Sequence, residues 1–137
     1  MEMKFVTKTR VEFRDLDAMR HVNNAVFVSF LETARMDFFD QTFGPDGFER
    51  FPFILGEVRI RFVSPAYIKE ILELGIRVKE IGRKSYVFEY LIREEKTGRT
   101  VCEAESTQVM FDYRSRKTLD VPGEFRVLTE PVSRPDA

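Results

Sequence analysis

The sequence predicts an α+β domain in which an antiparallel sheet wraps around one long central helix. Three observations carry that prediction. Between Asn24 and Phe43 apolar residues recur at the helical period, at Phe27, Leu31, Ala34 and Phe38, with Val28, Phe30, Met36 and Phe39 widening the stripe. Beyond this helix four segments alternate apolar and polar residues with the period of two that marks a half-buried strand. A further segment, ahead of the helix, is rich in β-branched and aromatic residues. A helix apolar on so many sides needs an enclosing partner, and an antiparallel sheet can cover it with one face while the other stays in water.

In chain order, Lys4 to Phe13 reads as the first strand, with Phe5, Val11 and Phe13 as core positions. Arg14 to Asn23 breaks the pattern with Asp, His and Asn, which bond to nearby backbone and favour turns and caps. Asn23 or Asn24 can cap the helix, and Gly44-Pro45-Asp46-Gly47 ends it, a left-handed glycine followed by a residue that cannot continue the ladder. In the second strand Val58, Ile60 and Phe62 face one way and Glu57, Arg59 and Arg61 the other, until Pro65. The third sets Leu72, Leu74, Ile76 and Val78 against Glu73, Arg77 and Lys79 and ends at Gly82. Ser85 to Glu94 and the segment through Asp112 form a hairpin about Glu95-Lys96-Thr97-Gly98-Arg99. The signal weakens after Val121-Pro122-Gly123, giving one domain over residues 1–130 and a frayed tail over residues 131–137.

Composition narrows the function. The 137 residues carry 22 Lys and Arg against 23 Asp and Glu, so no basic field argues for nucleic acid. A single cysteine and a single histidine cannot build a disulfide or a metal-ligand cluster. No run of about eighteen apolar residues occurs, and Met1 to Lys8 lacks the apolar stretch of a signal peptide, which predicts a soluble cytoplasmic protein with no membrane partner.

Chemistry concentrates in Arg14-Asp15-Leu16-Asp17-Ala18-Met19-Arg20-His21-Val22-Asn23-Asn24, between the first strand and the helix. A carboxylate, the sole histidine and two carboxamides stand before a helix N-terminus, whose free N–H groups and dipole stabilise an oxyanion. Such a set suits acyl transfer. No Gly-x-Ser-x-Gly occurs, which argues against a serine nucleophile elbow.

The run from Asp15 to Asn24 resembles the Asp-x-Asp-x-x-x-His-Val-Asn-Asn motif of the hotdog-fold thioesterases, and the strand-helix-strands order agrees. Lys79-Glu80-Ile81-Gly82-Arg83-Lys84-Ser85 is similar to the basic segment that contacts coenzyme A phosphates in 4-hydroxybenzoyl-CoA thioesterases. The resemblance runs from about Thr7 to Val121. It implies an acyl-CoA thioesterase in which Asp17 acts as nucleophile or general base and the Asn24 backbone N–H receives the oxyanion. It also implies that Asn23, Arg83, Lys84 and Ser85 contact coenzyme A, which enters only as part of substrate and product, with no other cofactor. His21 belongs to the same site or orders its loop. Asp15 is a loop-ordering residue, and Glu32 and Asp37 on the helix are the lesser candidates for the acid. The 4-hydroxybenzoyl-CoA enzymes lack a histidine at the place of His21, and plant-type acyl-ACP thioesterases carry an asparagine at that of Met19. The resemblance further implies a homo-oligomer, a dimer of dimers, with sites between protomers, so that Arg83 and Lys84 serve a neighbour's Asp17. Two other functions fit the fold: an acyl-thioester hydratase or dehydratase using Asp17 and His21, and a non-catalytic acyl-CoA binding module.

Overall fold

A computed structural model of the chain describes residue 3 and residues 5–130. The tail expected over residues 131–137 and the expected strand start at Lys4 lie outside the described residues. The elements are β1 (Phe5–Arg10), α1 (Asn24–Phe43), β2 (Phe53–Phe62), β3 (Ile71–Ile81), β4 (Ser85–Glu94), β5 (Thr100–Asp112), β6 (Lys117–Thr118) and α2 (Gly123–Leu128). The strands pair antiparallel in the order β1-β3-β4-β5-β2, with β6 added to the end of β5. The expected sheet around a central helix is the architecture found.

The ends of α1 follow from local chemistry. Asn23 Oδ1 accepts the Ala25 N–H at 2.9 Å, so Asn23 and not Asn24 is the cap. At the other end Gly44 adopts φ 93°, ψ −179°. The positive φ suits glycine, and the extended ψ is what a following proline imposes. Between the ends, Phe27, Phe30, Leu31, Ala34, Phe38 and Phe39 are buried. They meet Leu72, Leu74 and Ile76 of β3, Phe88, Tyr90 and Ile92 of β4, and Ala104 of β5 in one core. The Phe38 ring lies 4.9 Å from the rings of both Phe5 and Phe88, edge-on in each case. Truncating such a side chain costs about 3–5 kcal/mol.

Outer-face residues of the sheet pair their charges across strands. Arg77 meets Glu89 at 2.8 Å, Arg59 meets Glu105 at 2.6 Å, and Lys79 also bonds to Glu105. This explains the alternate Arg, Lys and Glu positions in the sequence.

Three expectations need correction. Strand β1 stops at Arg10, and Phe13 sits in a 3₁₀ turn with 81% of its surface exposed, because the turn ends the period of two. Val11 is buried as expected, exchanging backbone bonds with Lys69 and Glu70. Strand β2 begins at Phe53, four residues before Glu57, and its inner face is only partly covered: Val58 and Ile60 are half-buried and Phe62 is exposed. The cause is position, since β2 is an edge strand paired only with β5. Finally, α2 follows the weak Val121-Pro122-Gly123 signal, and its Phe125 is buried against Tyr86, closing one end of the barrel-like curl.

Candidate active site

The segment joining β1 to α1 is shaped by its own backbone. Asp15 Oδ2 accepts the Glu12 N–H at 2.8 Å while the Asp15 N–H donates to the Glu12 carbonyl, and the Asp15 carbonyl accepts from Asn23. A bridge between Leu16 and Val22 then closes a five-residue loop over residues 17–21. Within it the Asp17 N–H donates to the His21 carbonyl at 3.0 Å, and the Arg20 N–H donates to the Asp17 carbonyl at 3.0 Å. Arg20 takes φ 66° to complete the turn.

The two carboxylates here each accept one backbone N–H and face different neighbours. Asp15 is committed to the turn, as the sequence suggested. Asp17 Oδ1 accepts the Met19 N–H at 2.8 Å, an Asx turn that fixes the side chain. Among the described residues no hydrogen bond reaches Asp17 Oδ2, which lies 4.0 Å from His21 Nδ1. His21 Nδ1 is 3.3 Å from the Val22 carbonyl, to which it donates when protonated there. Both side chains are about one-third exposed.

Asn24 opens α1, and among the described residues no acceptor takes its backbone N–H. That N–H stands at the positive end of a 20-residue helix. Asn24 and His21 line a cleft of about 230 Å³ with Phe27, Phe62, Val63 and Ser64. Asp17 is not part of the cleft wall; its Oδ2 stands 4.0 Å from Nδ1 of His21, which is.

The loop is docked onto the β2–β3 connection, where the Ala66 carbonyl accepts the Val22 N–H at 2.9 Å. That connection is gripped by Arg99, which the sequence did not single out. Its guanidinium donates to Ser64 Oγ, to the Pro65 carbonyl and to both oxygens of Glu70, and lies over the Tyr67 ring. A residue contacting four others separated from it by some thirty positions leaves no trace in local sequence.

The basic segment lies elsewhere. Arg83 and Lys84 form the β3–β4 turn, in which the Gly82 N–H donates to the Ser85 carbonyl at 2.7 Å. Arg83 is exposed and 3.4 Å from Asp120, and Lys84 Nζ donates to Thr118 Oγ1 at 3.1 Å. Strand β3 starts beside Arg10, at the Asp17 end of the sheet, and runs eleven residues to the turn. At about 3.3 Å per residue the separation is roughly 35 Å. Asp17, His21, Asn23 and Asn24 are therefore together, while Arg83, Lys84 and Ser85 sit at the far end of the same protomer.

Among known proteins, the family model described as the thioesterase-like superfamily matches residues 11–128. The long-chain acyl-CoA thioesterase FadM of Escherichia coli K12 is 30% identical over 131 residues, covering 92% of this chain and 97% of that protein. A thioesterase from Thermus thermophilus, solved in complex with coenzyme A and Zn, superposes with a TM-score of 0.84 at 27% identity, covering 94% of this chain and 99% of that one. The probable thioesterase YbaW of Escherichia coli gives a TM-score of 0.78 at 28% identity, covering 94% of this chain and all of that one.

Proposed function

The chain belongs to the thioesterase-like superfamily, and on that basis we propose that it hydrolyses acyl-CoA thioesters to the free acid and coenzyme A, with Asp17 as the reacting carboxylate. It is a thioester hydrolase of the hotdog fold. The observation that carries the assignment of Asp17 is the place of its oxygen Oδ2, which is free of any hydrogen bond among the described residues and lies 4.0 Å from Nδ1 of His21, a residue that lines one cleft with Asn24 at the helix N-terminus.

In this reading the thioester carbonyl enters the cleft with its oxygen on the Asn24 N–H. Charge builds on that oxygen as the carbonyl carbon becomes tetrahedral, and a preorganised donor at a helix N-terminus stabilises it more than it stabilises the ground state. Asp17 Oδ2 either attacks the carbon directly, forming an anhydride that water then opens, or takes the proton of the attacking water. In both routes the C–S bond breaks and coenzyme A leaves as thiolate. His21, on the cleft wall, contacts the acyl thioester and flanks Asp17. Asn23, with its Oδ1 engaged in the cap, offers its amide nitrogen to the coenzyme A portion.

We also propose that the site is completed by a second protomer. Along the unpaired edge and the helix beside it, Val28, Met36, Ile54, Leu55, Phe62 and Val63 are exposed. Pairing β2 with its symmetry mate would cover them and remove the edge. A two-fold pairing is antiparallel, so the Asp17 end of one sheet meets the Arg83 end of the other. Arg83, Lys84 and Ser85 of the neighbour then contact the nucleotide phosphates, as cations at a pocket mouth do. Two such dimers make the tetramer. Among the described residues no helix is long and apolar enough to cross a membrane, and we place the enzyme in the cytoplasm.

The test is Asp17→Asn, assayed by thiol release across acyl-CoA chain lengths. Turnover falls by about a thousand-fold or more, with circular dichroism and oligomer size unchanged, whereas Asp15→Asn, which keeps an acceptor for the Glu12 N–H, costs far less activity. Near-normal hydrolysis by Asp17→Asn removes the catalytic assignment. Saturable binding of acyl-CoA without thiol release by the unmodified protein would favour a binding module.

A further inference from the structure

The polar centre of the core takes no part in this chemistry. Arg35, in the middle of α1, is only 6% exposed, yet among the described residues no carboxylate lies within ion-pair distance of it. It makes one hydrogen bond, from Nη1 to the Tyr90 hydroxyl at 3.1 Å. The Tyr90 hydroxyl bonds to Ser106 Oγ, Ser106 Oγ bonds to Gln108 Oε1, and Gln108 Nε2 donates to the Tyr86 carbonyl at 3.2 Å. This buried chain runs through three strand positions and fixes where the guanidinium points.

A guanidinium has five N–H donors, and here four have no protein partner among the described residues. Close by, the hydroxyl of Tyr86 is fully buried and also unpartnered. Burial raises the pKa of Tyr86 and of Tyr90, and the positive charge of Arg35 opposes that rise in both, which puts all three groups in one another's field. Both phenols stay protonated at ordinary pH, so the cluster is rich in donors and poor in acceptors.

Through Arg35 the cluster reaches a cavity of about 460 Å³ between α1, β2 and the turn ahead of β2. Arg35 forms part of its wall with Met36, Phe39, Phe53 and Leu55. Glu32, one turn earlier, also borders it, but that carboxylate is exposed, screened by solvent and not ion-paired with Arg35. A largely buried cation whose remaining donors face a pocket lined mainly by apolar side chains is costly unless an acceptor meets it. Eleven residues separate Asn24 from Arg35 on the helix, about 16 Å at 1.5 Å per residue. A chain held at the Asn24 N–H by its thioester and lying along α1 would bring its distal part to the cavity.

We propose that this cavity receives the distal part of the substrate's acyl chain and that Arg35 selects chains bearing an acceptor oxygen there, as a terminal carboxylate or a keto group. The inference rests on the thioesterase reading. Arg35 is then a specificity residue, oriented by Tyr90, Ser106 and Gln108, and an acceptor-bearing chain satisfies donors that a plain hydrocarbon leaves unpaired. The dependence on chain length is part of the proposal, because an oxygen close to the thioester cannot reach the cavity.

The experiment compares kcat/KM for three series of coenzyme A thioesters matched in length: plain acyl, ω-carboxyacyl, and acyl with a keto group near the chain end. The wild-type protein is expected to prefer at least one oxygenated series over the plain one by about ten-fold, only at medium and long lengths. Preference for both series indicates acceptor recognition, and preference for the carboxylate alone indicates anion recognition; each supports the proposal. In Arg35→Gln, which can still donate to Tyr90, the ratio of oxygenated to plain substrate falls to about one. Should that variant fail to fold, competition on the wild type replaces it, with a long dicarboxylic acid expected to inhibit about ten-fold more strongly than the monocarboxylic acid of equal length. A wild-type ratio of one or less at every length, with plain acyl-CoA hydrolysed, overturns the inference and leaves the thioesterase reading standing. Equal losses on oxygenated and plain substrates in Arg35→Gln also overturn it. No turnover of any series removes both.

Discussion

Co-refolding a chain carrying Asp17→Asn with one carrying Arg83→Ala and Lys84→Ala is expected to give more activity than either parent has. The two groups lie at opposite ends of the eleven-residue strand β3, a span of roughly 35 Å that no side chain bridges. If each site joins Asp17 of one protomer to the basic turn of its partner, a hetero-dimer holds one site with both lesions and one with neither. Random pairing of equal amounts makes half of the dimers mixed, so about a quarter of all sites are intact. The Asp17→Asn parent contributes almost nothing. The other parent loses two exposed charge contacts, each of about 1 kcal/mol, and retains on the order of 3–10% of kcat/KM. Without complementation the mixture therefore sits at about 5% or less of the wild type, against about 25% with it. The assay is thiol release below KM, with oligomer size followed by light scattering. Verified hetero-oligomers no more active than the mean of their parents, or a fully active monomer, would refute the shared site.

Three further outcomes follow from the geometry. Arg99→Ala releases the Ser64–Glu70 connection on which the Asp17 loop is docked, so kcat should fall by about ten-fold with little change in KM, and Arg99→Lys should recover only part of it. A comparable fall in an unrelated surface variant of equal thermal stability would assign the loss to stability alone. Cys102 is fully buried and its thiol is pushed up to about 12, mainly by desolvation and then by Glu103, so native protein should resist alkylation at pH 8 and react fully once denatured. Labelling of the native protein would contradict this placement. The Glu105 carboxylate is held below its ordinary range, first by the hydrogen bond from Lys79 and also by Arg59. Its folded pKa is below its unfolded one, so its contribution to stability is full above the ordinary carboxylate range and is lost as the pH falls through the folded value. Urea midpoints measured from pH 7 down to 3 should drop less steeply for Glu105→Gln than for the wild type.

What the sequence conveyed about the fold came from features that act over a few residues. The asparagine cap, open between Asn23 and Asn24 in the sequence and found at Asn23, Gly44 before Pro45 and the alternation in β3 and β4 each have a local cause. Phe13 and Phe62 misled for one reason: alternation says which side a residue takes only while the strand continues and only if something covers that side. The 3₁₀ turn ends the first strand, and the sheet edge leaves the second uncovered. Helix α2 is six residues long with a proline as its cap, too short for a period to register, and its Phe125 is fixed by distant aromatic rings. Arg35 and Arg99 were invisible for a related reason, since each gains its role from partners 29 to 55 positions away.

The site itself shows how far a motif can be read as physics. Asp15 and Asp17 are two residues apart, of the same type and in the same connection, and each accepts one backbone N–H on one oxygen; what separates them is where they face. Asp15 faces back along the chain, where the Glu12 N–H awaits an acceptor, and its own carbonyl anchors Asn23 at the helix entry. Asp17 begins the loop closed by Leu16 and Val22, and only its Oδ1 is satisfied by that loop. Asp17 alone has the histidine beside its second oxygen, with His21 Nδ1 4.0 Å from Oδ2, and His21 lines the cleft together with Asn24, so one bond places the carboxylate and leaves an oxygen on the cleft side of the loop. The same reasoning ranks the helix acids lower. Asp37 accepts from Gln41 on the exposed face of α1, and Glu32 lies about 12 Å along the helix from Asn24, out of reach of a carbonyl bound at that N–H. The consequence is measurable without a second protomer or a particular acyl chain: Asp15→Ala, which removes the acceptor for the Glu12 N–H, should loosen the entry to α1 and leave residual turnover, whereas Asp17→Asn, whose amide oxygen still accepts from Met19, should leave the loop intact and the reaction absent. Hydrogen exchange at Glu12 and Asn23 separates the two, rising in the first variant only. Equal exchange in both, or greater exchange in Asp17→Asn, would mean that the loop does not divide the two carboxylates as the bonds indicate.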